Sequence, residues 1–350
     1  MTRIIPKGSH FWPDDANDLP ADKVLEMYAN GFVGAWADPD EHALLRETIK
    51  AQGGWPDGDA AANAFGLAES GAGKLCIPFV HVLSIYTGCW PGPAQQRGDC
   101  VSWGQKNANL VTMCGDVLGG KPDEVTGIIE GAPEVPEAGI TNGALSTEAI
   151  YWYRGYNGDG WSCQTSARVS ITKGALWPRK PYPELGIDLT KYSGGLAGKY
   201  GSQPPPSEFT TTGQKNLIRT ATDLNGFEQV RDFSNNCYGI NSCGGEGFSS
   251  QRDENGVSRR QGSWSHSMAV IGADDRPEVK AIYGEPLVLI QNSHGKFNSG
   301  PRRILGTTID IPEGSFWARW SDVRNRYYVA MSGAVGWPAR TLPPYKSSLG

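Results

Sequence analysis

Residues 95–103 of the chain read QQRGDCVSW, and this segment places a thiol directly after a turn. Gly98 and Asp99 come before Cys100, and residues 100–114 carry apolar side chains roughly along one face. This pattern predicts a helix that begins at Cys100. Asp99 is the expected N-cap, because its carboxylate can accept hydrogen bonds from the free amides of the first turn. The segment therefore predicts a cysteine at the positive end of a helix.

A thiol in this position is a candidate nucleophile, but a helix alone activates it weakly. The helix dipole contributes about 0.3–1 kcal/mol and at most about 2 kcal/mol, which lowers a pKa by roughly one unit. A cysteine paired with histidine can have a pKa of about 3–4, far below that of a free thiol. An imidazolium partner is therefore expected to supply most of the stabilisation of the thiolate, whereas a charged Asp99 would destabilise the thiolate.

Two later segments supply a partner and a residue that could orient it. His266 lies in GSWSHSMAVIGADD, residues 262–275, at the start of an apolar run that predicts a strand. Asn292 follows LVLIQ, residues 287–291, and so stands at the end of another predicted strand. An amide oxygen there can accept a hydrogen bond from the second imidazole nitrogen and fix the orientation of the ring.

The three segments together resemble the papain family of cysteine peptidases. Residues 95–103 are similar to the Gln…Gly-x-Cys segment of that family, residues 264–272 (WSHSMAVIG) to its His-Ala-Val strand, and residues 291–295 (QNSHG) to its Asn-Ser-Trp-Gly turn. LSTE at 145–148, GDGW at 158–161 and KPYP at 180–183 are similar to its cleft glycines and the Tyr-Pro that follows them. The resemblance covers about residues 75–320.

This resemblance implies a catalytic role for five residues. Cys100 would attack the scissile carbonyl as a thiolate, and His266 would form the ion pair and later protonate the leaving amine. Asn292 would orient the imidazole. The backbone amide of Cys100, with the side chain of Gln95 or Gln96, would stabilise the oxyanion. Either glutamine satisfies the pattern.

The same resemblance assigns substrate-binding residues and leaves one alternative nucleophile. Gly158, Gly160 and Trp161 would hold the substrate backbone in the cleft. The family usually has its glutamine six residues before the cysteine, whereas the two glutamines here stand five and four before it. If the alignment is anchored on Gln96 and Trp103 instead, Ser102 takes the nucleophile's place and Cys100 matches a structural cysteine.

Three functions are compatible with these motifs, and the leading one is peptide-bond hydrolysis through a Cys-His-Asn triad. GDCVS at 98–102 and PEGSFW at 312–317 are similar to papain-like proteins of tailed phages and some bacteria, which gives the alternative of a virion structural protein with little or no catalysis. A peptidoglycan endopeptidase or a transglutaminase is a third possibility. A transglutaminase would need Asp274 or Asp275 as the third member of the triad.

Helical patterns come first along the chain and strand patterns later, which predicts an α+β fold. The resemblance makes this fold papain-like, with a cleft between a helical subdomain and an antiparallel, barrel-like β-subdomain. The expected division is an N-terminal extension at 1–75, the helical subdomain with the cysteine at 76–205, the β-rich subdomain with the histidine and asparagine at 206–335, and an extended tail at 336–350. The main predicted strands are 268–272, 287–292 and 327–331.

Composition and charge restrict the partners. The net charge of −5 gives no electrostatic reason to expect a nucleic acid or an anionic membrane. The N-terminus has no apolar run typical of a signal peptide, and LCIPFVHVLSIY at 75–86 is too short to span a bilayer. We expect a soluble protein made in the cytoplasm, with a peptide or protein as substrate and, in the alternative function, other virion proteins as partners. Neither a cofactor nor a metal is expected.

Without a secretory signal, free thiols are expected rather than disulfides. If an oxidising environment were met, Cys237 and Cys243 are the pair that could form. His294, which stands where the family has tryptophan, is expected to be a substitute lid or a turn residue. The remaining cysteines and histidines are expected to be structural or at the surface, with buried positions for Cys76, Cys89, Cys114, Cys163 and His81, and surface positions for His10 and His42.

Overall fold

The computed structural model describes most of the 350 residues, namely 23, 26–28, 30, 32–86, 88, 90–119, 144–174, 177–332 and 348–349. His10, Cys89 and most of the proline-containing tail, on which predictions were made, lie outside the described residues. Helices and strands are both abundant, so the predicted α+β class is confirmed.

The helices are short except for one. They are α1 (Pro39–Ala51), α2 (Gly58–Ala64), α3 (Phe79–Ile85), α4 (Cys100–Gly119), α5 (Thr147–Trp152), α6 (Cys163–Thr172), α7 (Gly194–Gly201), α8 (Ser207–Gly213), α9 (Phe227–Asn235), α10 (Pro277–Tyr283) and α11 (Trp320–Val323). Helix α4 begins at Cys100, as predicted, and its residues from Val101 to Asp116 are buried on every side. A helix buried all round is the centre of a core rather than a surface element.

The strands are β1 (Ala35–Trp36), β2 (Leu75–Cys76), β3 (Trp161–Ser162), β4 (Pro181–Tyr182), β5 (Ile187–Asp188), β6 (Ala221–Leu224), β7 (Gly239–Arg252), β8 (Ser258–Asp274), β9 (Leu287–Gln291), β10 (Ser315–Arg319), β11 (Tyr327–Met331) and β12 (Ser348–Leu349). The main sheet is antiparallel, with the order β10-β9-β8-β7-β11-β6, and β2 pairs with both β8 and β12. In the described part of the chain its two end strands, β10 and β6, do not pair, so the barrel-like sheet stays open.

The hairpin of β7 and β8 positions the predicted histidine. Its loop contains Asn255 and Gly256, a pair typical of tight turns, and Gly256 has φ +83°. The carboxylate of Asp253 accepts hydrogen bonds from the amides of Asn255 and Val257, which closes the turn. Further along the hairpin the register shifts between Gly244 and Glu246, and His266 lies opposite Gly244 at this irregularity. Helix α4 packs directly against both strands.

Part of the N-terminal region crosses between the helical side and the sheet. Strand β1 pairs in parallel with β3, which directly precedes α6. Two residues before β1, Val33 forms a parallel bridge with Ser265 of β8, next to His266. Residues 33–36 therefore contact both predicted walls of the cleft. The division of the chain at residues 75, 205 and 335 stays a prediction.

The cysteine predictions are corrected in one respect. Cys163, at the start of α6, forms a disulfide with Cys243 of β7, so the expectation of free thiols is wrong for these two residues, and Cys243 does not pair with Cys237, the partner considered for an oxidising environment. The two residues are 80 positions apart and their Cα atoms lie 6.5 Å from one another, a proximity that only the folded chain creates. Cys237 is instead a buried free thiol whose sulfur lies 3.4 Å from Nδ1 of His81.

Within the described residues, no helix is long and apolar enough to cross a membrane.

Candidate active site

Cys100 stands at the first position of α4 and is fully buried. The backbone carbonyl of Asp99 accepts hydrogen bonds from the amides of Ser102 and Trp103, which starts the helix. The Asp99 carboxylate does not play the predicted capping role and accepts hydrogen bonds from the hydroxyl of Tyr192 at 3.2 and 3.3 Å. Burial raises the pKa of Asp99 well above its usual value, which favours the neutral carboxyl, and a negative charge there would raise the pKa of Cys100.

His266 and Asn292 are brought together by neighbouring strands of the sheet. Nε2 of His266, in β8, lies 2.9 Å from Oδ1 of Asn292, the residue that follows β9. Both residues are buried, and the same Asn292 oxygen accepts a hydrogen bond from the amide of Ser293 at 2.7 Å. Nδ1 of His266 has no hydrogen-bond partner among the described residues. The ring is thus held through one nitrogen and keeps the other for a further contact.

The two glutamines before the cysteine have different surroundings. Gln95 is fully buried. Its backbone amide donates to the carbonyl of Ser293 at 2.7 Å, and its side-chain Oε1 accepts from the Ser293 hydroxyl at 2.6 Å. Its Nε2 donates to the carbonyl of Arg97 and to the hydroxyl of Tyr28 at 3.4 Å. The backbone amide of Gln96 instead donates to Tyr192, away from this hydroxyl. Gln95 is therefore the glutamine whose amide group points to the surroundings of the sulfur.

Tyr28 covers the site, which the sequence did not indicate. Its hydroxyl hydrogen-bonds to the sulfur of Cys100, and its ring packs edge-on against the ring of His266 with the centroids 4.7 Å apart. The Tyr28 side chain is completely buried. A methyl group at Gly34 would overlap the Tyr28 hydroxyl and come within 2.8 Å of the Cys100 sulfur. The chain's own N-terminal region therefore fills the space above the thiol.

The predicted substrate-binding residues contact this same region. The amide of Gly34 donates to the carbonyl of Ser265 at 2.9 Å, and the amide of Trp161 donates to the carbonyl of Gly34 at 3.0 Å. Gly160 has φ +80°, and a side chain there would meet the carbonyl oxygen of Val33 at 2.5 Å. Gly158 lies two residues earlier in a loop and is partly buried. Gly160 and Trp161 thus form a wall that holds an extended segment of backbone.

In this closed state the thiol and the imidazole are both neutral. Burial raises the pKa of Cys100 to about 12, although the hydrogen bonds from Tyr28 and from the backbone amide of Ser267 act in the opposite direction. Burial also lowers the pKa of His266 to about 3, against the effect of the Asn292 hydrogen bond. Neither group is therefore charged near neutral pH in this arrangement.

The ring of His294, expected to be a substitute lid or a turn residue, covers one face of the His266 ring. Its ring stacks on the ring of His266 at a centroid distance of 4.8 Å and an interplanar angle of 10°. It is buried, and neither of its nitrogens has a hydrogen-bond partner in the described part of the chain. Burial, together with the neighbouring His266, lowers the pKa of His294 well below its usual value. A neutral imidazole therefore occupies the place where the family pattern has tryptophan.

The other residues considered in the sequence have different surroundings. Ser102 is buried, with no hydrogen-bond partner for its hydroxyl among the described residues. The Asp274 carboxylate pairs with Arg276 at 2.7 Å, and that of Asp275 pairs with Lys280 at 2.6 Å. His42, expected at the surface, is partly buried, and its Nε2 lies 2.6 Å from the Asp223 carboxylate. The described residues contain no cluster of three or more His, Cys, Asp or Glu side chains suited to a metal ion.

Neither a protein-family model nor a curated protein matches the sequence. Solved structures similar to the chain include xylellain, a cysteine protease from Xylella fastidiosa, at 12% identity over 71% of this chain and 88% of that one, with a TM-score of 0.40. Digestive procathepsin L 3 of the Tenebrio molitor larval midgut is 11% identical over 71% and 68% of the two chains, with a TM-score of 0.39. The proform of the ragweed cysteine protease Amb a 11 is 11% identical over 97% and 77%, with a TM-score of 0.43. These are remote similarities.

Proposed function

We propose that the protein is a papain-like cysteine peptidase that hydrolyses peptide bonds with Cys100 as nucleophile. The observation that carries this proposal is the set of groups around one side chain, that of Tyr28. Its hydroxyl hydrogen-bonds to the Cys100 sulfur and accepts from Nε2 of Gln95, while its ring lies against His266. A thiol, a held imidazole and an amide donor gathered around one side chain are the groups that acyl transfer requires.

The Tyr28 hydroxyl stands in for the carbonyl oxygen of a substrate. With Tyr28 displaced, that oxygen would accept hydrogen bonds from Gln95 and from the backbone amide of Cys100 as it becomes an oxyanion. The glutamine is well suited to this task, because one hydrogen bond with Ser293 fixes its backbone and a second, to its Oε1, fixes its side chain before substrate arrives. Gln95, rather than Gln96, is accordingly assigned as the oxyanion donor.

The proposed reaction proceeds in two stages. His266 takes the proton of Cys100 through Nδ1, and the resulting thiolate attacks the scissile carbonyl carbon. The imidazolium returns the proton to the leaving amine nitrogen as the C–N bond breaks, which leaves a thioester on Cys100. His266 then takes a proton from water, whose oxygen attacks the thioester carbon and releases the acid with the free thiol. Asn292 keeps the ring oriented through Nε2 in both stages.

Activity requires that the covering segment, made of Tyr28 and residues 32–36, leaves the cleft. The covering segment makes backbone hydrogen bonds to Ser265 and Trp161, the positions where an extended substrate would bind. While it is in place, burial holds the thiol and the imidazole in their neutral forms. Displacement would admit water and substrate, and would favour the thiolate–imidazolium pair.

The test is site-resolved alkylation of cysteines by iodoacetamide, together with hydrolysis of an unfolded protein substrate. The variant Tyr28→Ala is expected to raise the alkylation rate of Cys100 at least tenfold, because it removes the group that shields the sulfur. Cys100→Ser should abolish hydrolysis, whereas Cys114→Ser, a matched change of a buried cysteine on the same helix, should preserve it. Hydrolysis that survives Cys100→Ser but is lost in Ser102→Ala would contradict the assignment of the nucleophile.

A second candidate function is a virion structural protein that keeps the fold with little or no catalysis. The observation that favours it is the complete burial of Cys100 and His266 under Tyr28. This function predicts that the intact chain is a stoichiometric part of purified particles, and that Cys100 stays unreactive in both the original chain and the Tyr28→Ala variant. Prompt alkylation of Cys100 in that variant would count against it.

A further inference from the structure

The peptide unit between His266 and Ser267 makes a hydrogen bond at each end. Its carbonyl oxygen, on His266, accepts from Nη2 of Arg326 at 2.7 Å. Its N–H, on Ser267, is a hydrogen-bond donor to the sulfur of Cys100. The C=O and N–H groups of a trans peptide point in opposite directions, so the guanidinium and the sulfur lie on opposite sides of this one peptide.

Arg326 is a buried cation with a fixed position. Its Nε donates to the Ser242 hydroxyl at 2.8 Å, and its Nη1 lies 3.2 Å from the Glu246 carboxylate. The Arg326 side chain is fully buried and that of Glu246 is 10% exposed. The irregular register of β7 and β8 between Gly244 and Glu246 leaves the His266 carbonyl available to this side chain. A guanidinium stays protonated under all ordinary conditions, so the charge is permanent.

A cation on the carbonyl end of a peptide strengthens hydrogen bonding at its amide end. Arg326 draws electron density toward the His266 oxygen, and the Ser267 N–H becomes a better donor to a sulfur anion. The positive charge also favours a nearby thiolate directly and disfavours an imidazolium on His266. The Glu246 carboxylate reduces both effects, because it partly neutralises the guanidinium.

We propose that Arg326 is a positioning residue of the active site, which stabilises the Cys100 thiolate through the 266–267 peptide and moves the pH range of activity toward acid. This inference rests on the proposed function, since it concerns the thiolate form of the nucleophile. Arg326, a permanent cation, would supply part of the thiolate stabilisation that the imidazolium of His266 would otherwise supply alone.

The sign of the effect differs between the two members of the ion pair. At low pH the thiolate of Cys100 is protonated and its reaction rate falls, and this part of the pH–rate profile is called the acid limb. Without the cation of Arg326, the thiolate is less stable and the acid limb moves to higher pH. Without the carboxylate of Glu246, the cation is uncompensated and the acid limb moves to lower pH. The other titratable groups that face the thiol or the imidazole are Tyr28 of the N-terminal segment, Asp99 before α4 and His294 after β9.

The experiment measures the rate of Cys100 alkylation by iodoacetamide between pH 4 and 9 in the full-length chain. All variants carry Tyr28→Ala, so that the sulfur is accessible, and keep Asp99 and His294 unchanged. We expect Arg326→Met to move the acid limb upward by about half a pH unit or more, and Glu246→Gln to move it downward by a similar amount. Arg326→Lys, which keeps the charge, should restore most of the original position.

Opposite shifts in the two variants support the proposal, because a merely structural role would lower the rate without moving the limbs in opposite directions. Should Arg326→Met fail to fold, Glu246→Gln still tests the sign of the effect. An unchanged acid limb in Glu246→Gln, with Cys100 still alkylated, would overturn the role of Arg326. A Cys100 that stays unreactive in the Tyr28→Ala chain would instead overturn the proposed function itself.

Discussion

At the scale of single residues, the candidate site is defined by which polar atoms have hydrogen-bond partners and which do not. Asn292 occupies Nε2 of His266 and leaves Nδ1 available. Ser293, the next residue along the chain, binds Gln95 twice and so fixes the amide that faces the Tyr28 hydroxyl. One turn after β9 therefore holds both the His266 ring and Gln95.

Gln95→Ala is expected to lower kcat by about 10²–10³, because it removes one of two donors to the oxyanion. Gln96→Ala is the matched control and should change kcat only a few fold, since the Gln96 backbone amide, which that substitution keeps, makes its contact with Tyr192. Steady-state hydrolysis of a peptide by Tyr28→Ala chains that carry each substitution gives the comparison. Equal losses in the two variants, or a greater loss for Gln96→Ala, would refute the assignment of Gln95.

At the scale of elements, the covering segment and the cleft walls form a small parallel sheet. Strand β1 pairs with β3, and Val33 bridges to Ser265 of β8. Two-residue strands are weakly stable by themselves, so the segment stays in place through its few backbone hydrogen bonds and the burial of Tyr28. Such an element can be displaced without unfolding the core beneath it.

Gly34→Ala is expected to loosen the cover, because the added methyl group would overlap the Tyr28 hydroxyl and lie 2.8 Å from the Cys100 sulfur. The alkylation rate of Cys100 at neutral pH should rise several fold. Gly245→Ala is the control, since a methyl group there has its nearest neighbour at 4.0 Å. Mass spectrometry of the Cys100 peptide follows the reaction, and equal rates in the two variants would show that the segment does not limit access.

At the scale of the whole molecule, one covalent bond joins the helical side to the sheet. The Cys163–Cys243 disulfide links the start of α6, directly after the β3 wall, to β7, the partner of the strand that carries His266. Strand β1 connects the same two sides non-covalently. The disulfide also restricts the unfolded chain, because it closes a loop of 80 residues.

Reduction of this disulfide, or the double change of Cys163 and Cys243 to serine, is expected to lower the free energy of unfolding by about 3–4 kcal/mol. The measurement is urea unfolding of the original chain with and without dithiothreitol, compared with the double variant. The double variant should be insensitive to dithiothreitol. If reduction leaves the midpoint of the original chain unchanged, the bond contributes nothing to stability.

The two stacked histidines make stability depend on pH. Burial lowers the pKa of His266 to about 3 and that of His294 well below its usual value, whereas histidine in an unfolded chain has a pKa of about 6.5. Above that value both states are neutral and the full stability is present. As the pH falls, the unfolded chain takes up protons that the folded chain refuses, so stability is lost progressively between about pH 6.5 and pH 3.

His294→Phe keeps the ring stacking and removes one of these proton-binding groups. The variant should unfold at a similar urea concentration to the original chain at pH 7.5 and at a higher one at pH 5. Urea midpoints at the two pH values provide the measurement. An acid sensitivity equal to that of the original chain would mean that His294 is protonated without cost in the folded state.

The sequence by itself determined the elements and the chemical identity of the candidate site. The start of α4 at Cys100, the strand before Asn292 and the strand that carries His266 follow from turn residues, apolar periodicity and β-branched runs, which act over a few neighbouring residues. The choice of these three residues followed from motifs of the same short range. Their catalytic roles remain a proposal that the alkylation and hydrolysis experiments test.

Only the tertiary structure decided which of the two glutamines faces the sulfur, that Cys163 pairs with Cys243, that Tyr28 covers the thiol, and that Arg326 binds the His266 carbonyl. Each of these contacts joins residues more than fifty positions apart in the chain. Such contacts depend on how the sheet, α4 and the N-terminal segment pack together, and local sequence patterns contain no information about that packing. The same packing removes water from the site, and this burial, rather than the identity of the residues, sets the protonation of Cys100 and His266.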